Sequence, residues 1–208
     1  MFIKSLLLIF SLFTFAVHCQ EKRHPMALGL HYGFGAEIRN TDYTFTNHYF
    51  KPQLYWQISS SKQFVYEILL QPEINFARHR LINPYFVTPG EPDFEYKRKL
   101  YTRLKDIREY VLNIGLLIRK PISERFSVYV LGSIGPMLTD TETERLSKGF
   151  AFADVLALGL TMRTSKVAFD IRPNIRHTSN GGLQDSNAGF NTLNIEFGIA
   201  MPIASSGR

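Results

Sequence analysis

The strongest constraint on this chain is a period-two alternation of apolar and polar residues that recurs in eight stretches, roughly 27–38, 48–59, 63–78, 106–119, 125–138, 149–163, 166–177 and 190–203. Alternation of that period is the signature of strands with one apolar face. In the third stretch Tyr66, Ile68, Leu70, Ile74 and Phe76 oppose Glu67, Gln71, Glu73 and Asn75; in the seventh Val167, Phe169, Ile171 and Ile175 oppose Asp170, Arg172, Asn174 and Arg176. In the core of a soluble sandwich Glu67, Glu73, Asp170, Arg172, Arg176 and Glu196 would be costly. Inside a small barrel they can pair with one another while the apolar face meets lipid. Each stretch also has the about 9–11 residues that a tilted strand needs to cross a bilayer.

The connections alternate in length. Strands two and three, four and five, and six and seven are joined at Ser59–Lys62, Lys120–Glu124 and Thr164–Lys166, whereas the other connections run over 39–47, 79–105, 139–148 and 178–190. Short turns on one side and long loops on the other are the periplasmic and extracellular sides of an outer-membrane barrel. The sequence therefore predicts an all-β fold, an eight-stranded antiparallel transmembrane β-barrel, as a single domain over residues 20–208. A soluble lipid-binding barrel with its apolar face inward is the architectural alternative, and dependence on detergent separates the two.

Residues 1–19 read as a secretory signal peptide, with Lys4 before an apolar run from Leu6 to Val17 that is too short to span a bilayer. Cleavage after Cys19 leaves no thiol, which excludes disulfides, thiolate metal sites and cysteine nucleophiles; the alternative is that Cys19 is the acylated first residue of a lipoprotein. The formal charge of +6 on an exported chain fits a phosphorylated lipid or glycolipid as partner, and equally a solvated basic surface. No nucleic-acid motif or phosphate-binding glycine loop is present. His31, His48 and His79 have no partner at metal-ligand spacing and read as lumen or loop residues, so no metal or cofactor is expected.

The seventh stretch runs into Arg176-His177-Thr178-Ser179-Asn180-Gly181-Gly182 and on through Asp185-Ser186-Asn187 to Asn191. His177 and Ser179 are two apart and share a strand face; their parity is that of Ile171 and Ile175, which puts a polar pair on the lipid side at the extracellular rim. Ionisable groups at membrane depth are functional candidates, although an interfacial anchor and a turn serine would look the same.

From His177 to Asn191 the chain resembles the signature of the PagL-type lipid A 3-O-deacylases, outer-membrane barrels with a pattern near H-x-S-N-x-x-L followed by P-N-x-G. The resemblance implies an acyl ester hydrolase acting on lipid A, with Ser179 as nucleophile, His177 as general base, Asn180 and Asn187 helping to form the oxyanion hole, and lipopolysaccharide and outer-membrane lipid as partners; a homodimer stays open. Ser186 stands where the family has proline. Asn191 stands where the family has the glutamate that orients the histidine, and an amide can hold a tautomer but cannot balance an imidazolium. Three outcomes follow: Asn191 suffices at a low rate, a loop carboxylate such as Asp185, Glu91 or Asp93 substitutes, or the protein is a non-catalytic structural or lipid-binding barrel. Glu196 has lumen parity and is a poor substitute. Arg78, Arg80, Lys97, Arg98, Lys99 and Arg103, in or beside the loop of 79–105, are candidates for lipid phosphates.

Overall fold

The computed structural model describes residues 26–38 and 40–203; the leader expected over 1–19 lies outside the described residues. Eight antiparallel strands close on themselves in sequence order: β1 (Met26–Glu37), β2 (Tyr43–Ser60), β3 (Val65–Leu81), β4 (Lys105–Pro121), β5 (Phe126–Thr139), β6 (Gly149–Arg163), β7 (Ala168–Ser179) and β8 (Phe190–Ile203), with β8 pairing back onto β1. Closure leaves no sheet edge, the condition for placing backbone polar groups in hydrocarbon. The outer wall carries the apolar residues of every strand, Leu28, Phe50, Ile74, Leu112, Val130, Leu158, Ile171 and Phe197 among them, all exposed.

The lumen holds the charges, and they pair. Glu196 lies 2.6 Å from Arg172 and 3.0 Å from Lys51, Lys51 also reaches Glu73 at 3.0 Å, and Arg176 bridges Glu73 and Glu109. Tyr49 and Asn174 complete the shell of Glu196. Close packing of this interior depends on glycine where rings cross it. A Cβ on Gly159 would stand 2.0 Å from the ring of Tyr129, whose hydroxyl donates to Asp170 at 2.6 Å.

Because breaking a buried pair strands the remaining charge, Glu196→Gln should cost about 3–5 kcal/mol. The urea midpoint of the protein in detergent should fall accordingly, while that of the lipid-facing Leu158→Ala should barely move. An unchanged midpoint for Glu196→Gln would show that the lumen network does not stabilise the barrel.

Each short turn is closed by a hydroxyl that accepts a backbone N–H three residues on: Ser61 from Phe64, Ser123 from Phe126 and Thr164 from Val167. Ser, Thr and Asn favour turns for this local bonding.

Two strands extend well beyond their expected ends into the long loops. β2 begins at Tyr43 rather than 48, β3 continues to Leu81 rather than 78, and the loop expected over 39–47 shrinks accordingly. The physical reason is an inversion of polarity. Above the lipid-facing belt Tyr43, Phe45, Ala77, Leu81, Ile107 and Met137 point inward and form a core with Leu146 and Phe190, while Thr44, Thr46, Arg78, Arg80 and Arg108 point outward. The alternation persists with its faces exchanged, so a search for one apolar outer face ends too early. The loop between β3 and β4 contains a 3-10 turn, Pro84–Phe86, and a short helix, α1 (Phe94–Tyr101), neither of which is legible as strand periodicity.

Candidate functional site

His177 and Ser179 close β7 at the end where the long loops emerge. His177 is exposed and Ser179 half-buried, both on the outer face, while Arg176 and Thr178, before and between them, are buried in the lumen. The register sets Asn191 of β8 opposite His177, and the Asn191 Oδ1 lies 2.8 Å from His177 Nδ1. An amide oxygen only accepts, so Nδ1 carries the proton and Nε2 keeps its lone pair. The structure thus joins His177 to Asn191. It does not join His177 to Ser179 by a hydrogen bond, although both share one strand face; such bonds commonly tighten only when substrate is bound.

The segment after Ser179 turns through two left-handed glycines, Gly181 with φ 63° and Gly182 with φ 78°, a conformation that favours glycine. Asn180 is fully buried, and its side chain is committed: Nδ2 donates to the Ser186 carbonyl at 2.8 Å and Oδ1 accepts from the Gly182 N–H at 3.0 Å. These bonds hold the loop. Asn187 spends only its oxygen, which accepts the Asn180 N–H at 2.7 Å, and its exposed Nδ2 stays available as a donor.

A neighbouring loop clamps this one. Arg145, in the connection between β5 and β6, donates to the Gly189 carbonyl at 2.7 Å and the Ala188 carbonyl at 3.1 Å, with its guanidinium 4.3 Å from the centre of the Tyr43 ring. Ser147 Oγ accepts the Ser186 N–H, and Leu146 bridges to Asn187. Gly189 itself sits at φ 63°, where a Cβ would lie 2.3 Å from the Thr178 carbonyl oxygen. Arg145 was not singled out by the sequence, since it belongs to no pattern, and Gly189 stands there only as the last position of the motif; the fold brings the two together.

None of the carboxylates considered as substitutes for the missing glutamate is hydrogen-bonded to His177 among the described residues. Glu91 caps the Thr88 N–H and pairs with Lys97, Asp93 stands at the start of α1, Asp185 is exposed on the loop, and Glu196 is locked in the lumen network. A different carboxylate faces the histidine. Asp154 of β6 is the register partner of His177 on the side away from Asn191, and its Oδ1 is buried without a hydrogen-bond partner. Directly opposite residues of a sheet hold their Cβ atoms about 4.5–5.5 Å apart. Its signal was present in the sequence: Asp154 is an ionisable residue at an outward position between Phe152 and Leu156, found by the same parity that identifies His177.

The basic residues divide. Arg78 pairs with Asp106, Lys97 with Glu91, and Arg98 donates to the Val87 carbonyl between the rings of Tyr85 and Phe94. Arg78 lies on β3, four strands from β7 in the barrel, whereas α1 belongs to the loop whose Phe94, Leu100 and Tyr101 pack against the mouth core with Phe190. His31 and His79 are buried in the lumen, bonded to Tyr55 and Glu144. His48 departs from its expected place: it is exposed on the outer wall, stacked on Phe76 with ring centroids 5.4 Å apart, because outward parity in β2 falls on even numbers. Among the described residues no cluster of His, Cys, Asp and Glu could hold a metal ion.

The model of the family described as "Lipid A 3-O-deacylase (PagL)" matches residues 93–200, a span that includes Asp154 and the whole segment from His177 to Asn191. Among solved structures, that titled "Crystal structure of the outer membrane enzyme PagL" superposes with a TM-score of 0.60 at 11% identity, covering 84% of this chain and 99% of that one. Neisserial surface protein A gives a TM-score of 0.47 at 9% identity, with 85% and 96% covered, and OprG from Pseudomonas aeruginosa 0.47 at 8%, with 88% and 97%. At 11% identity the first of these superpositions speaks for the fold alone. No curated protein matches the chain in sequence.

Proposed function

Because the chain belongs to the lipid A 3-O-deacylase (PagL) family, we propose that it hydrolyses an acyl ester of lipid A at the extracellular rim of the outer membrane, with Ser179 as nucleophile and His177 as general base. Family membership and the outer-membrane barrel fold support lipid A as substrate and the outer membrane as location. The observation that carries the reading is the 2.8 Å bond between His177 Nδ1 and Asn191 Oδ1, which keeps Nε2 basic on the face that Ser179 shares.

Ser179 Oγ attacks the ester carbonyl as its proton passes to His177 Nε2. The tetrahedral oxyanion is stabilised by the free Nδ2 of Asn187, and a donor at such a position contributes about 3–4 kcal/mol. Collapse returns the proton from Nε2 to the departing sugar oxygen and leaves an acyl ester on Ser179. Water, deprotonated by the same nitrogen, then releases the fatty acid and restores the serine. The imidazolium formed on the way needs a counter-charge that the Asn191 amide lacks, and Asp154 supplies it from β6. A lipid-facing site lets the acyl chains stay in the bilayer throughout. No step requires a cofactor.

Asn191 also favours a second reading, a barrel of this family that keeps the fold and binds lipid without cleaving it. The two differ in whether Ser179 is activated. A fluorophosphonate bearing a long alkyl chain should add its mass to the peptide containing Ser179 in the detergent-solubilised protein, and should fail to do so in His177→Ala. No adduct in the unaltered protein, or an adduct on another serine, would favour the non-catalytic reading.

A further inference from the structure

We propose that the outer wall of β2, β3 and β4 carries a second lipid site, separate from the catalytic rim, that holds a phosphorylated glycolipid of the outer leaflet. The inference rests on the membrane-barrel fold and does not depend on the chemistry of Ser179. On this wall the exchange of polarity is abrupt. Along β3 the outward residues run Leu70, Ile74, Phe76 and then Arg78 and Arg80; along β4, in register, Leu112 and Tyr110 give way to Arg108 and Asp106. Cations thus begin in the row of the last aromatic, Phe76, whose register partner is Arg108, and continue above it.

Two adjoining hollows divide along the same line. The upper one, of about 500 Å³, is lined by Thr46, His48, Phe76, Arg78, Asp106 and Arg108 together with neighbouring backbone. The lower one, of about 720 Å³, is bounded by Phe50, Ile74, Tyr110 and Leu138 around Pro52, Pro72 and Pro136. Those prolines are compact side chains among large ones, and Pro52 and Pro72 break the ladder between Phe50–Ile74 and Leu54–Leu70. A cationic notch above an apolar groove matches an amphiphile with a phosphate headgroup and acyl chains.

The donors are available. Arg78 commits its Nε to Asp106 at 3.1 Å and keeps its terminal nitrogens, while the Arg108 guanidinium makes no hydrogen bond or ion pair among the described residues. The Asp140 carboxylate beside it accepts the Arg108 backbone N–H and the Thr141 hydroxyl, both at Oδ1. Arg78, Arg80 and Arg108 outnumber Asp106 and Asp140, and arginine's fork suits phosphate oxygens. The six basic residues read from the sequence as one phosphate-binding group are therefore split, with Arg78 and Arg80 joining Arg108 here.

Native mass spectrometry of the full chain in neutral detergent tests the site, with Ser179→Ala throughout so that lipid is not consumed. With bisphosphorylated lipid A as probe, Arg78→Gln/Arg108→Gln should lose one retained lipid per barrel and weaken overall retention about tenfold, as expected for losing charge-assisted bonds. Arg78→Lys/Arg108→Lys should keep most of it, and heat-modifiable migration should show both variants folded. Dephosphorylated lipid A should be retained equally by all three. An unchanged lipid count in the Gln variant, or dephosphorylated lipid held as tightly as the bisphosphorylated form, would overturn the proposal. Phosphatidylglycerol displacing lipid A at equal concentration would overturn the choice of a glycolipid as occupant.

Discussion

Replacing Ser179 by alanine should abolish ester hydrolysis, lowering kcat by roughly 10⁴-fold or more, while the barrel keeps its heat-modifiable migration. The same loss is expected for His177→Ala, and the double substitution should cost little beyond either single one, because nucleophile and base act as a unit. The expectation of an intact fold has a structural basis. Both side chains lie on the outer face, away from the lumen pairs of Arg172, Arg176 and Glu196. Appreciable activity in either variant, measured on a soluble acyl ester in detergent, would remove the serine mechanism.

The second large effect concerns Asn191. As an amide it holds the Nδ1–H of His177 at 2.8 Å but brings no charge. Asn191→Glu would turn that contact into a charge-assisted bond, a gain of about 1–1.5 kcal/mol in the imidazolium-like transition state and hence about tenfold in kcat. Asn191→Ala should lower the rate by freeing the tautomer. The partner on the other strand enters the same prediction. If Asp154 supplies the counter-charge, Asp154→Asn should slow the unaltered enzyme and matter less in the Asn191→Glu background, a coupling that a double-mutant cycle reads directly. Equal rates for Asn191→Glu and Asn191→Ala would show that the residue has no part in catalysis.

Much of the architecture was legible because lipid imposes one rule on every strand. Outward positions such as Leu28, Ile74 and Phe197 must be apolar, inward ones such as Glu73 and Arg172 can be charged, and the closed barrel of eight strands follows. The rule fails where the lipid ends. Tyr43, Phe45 and Leu81 alternate with Thr44 and Arg80 in the reverse sense, so the strand extensions and the apolar core at the mouth were hidden by a sequence pattern that had changed sign rather than stopped. The eight residues of α1, amid a charged connection, offered no periodicity to read.

The site shows the same division. His177, Ser179 and Asn191 could be placed on one face by parity and a shared motif, since strand pairing alone brings them together. The loop-holding bonds of Asn180 could not be read from the motif, because they depend on which atoms its side chain reaches once the loop has closed. Arg145 reaches the loop from the connection before β6, a relation no motif encodes, whereas Asp154 is set opposite His177 by the β6–β7 pairing alone. Asp154 was visible in the sequence as a carboxylate out of place on an apolar face, between Phe152 and Leu156.

The most direct measurement is the mass spectrum of lipid A before and after incubation with the purified protein in detergent, alongside Ser179→Ala. The account predicts the loss of one hydroxyacyl chain from lipid A and the appearance of the matching free fatty acid, with the substrate unchanged by the alanine variant. Lipid A of unaltered mass after prolonged incubation, under conditions where the barrel is folded, would contradict it.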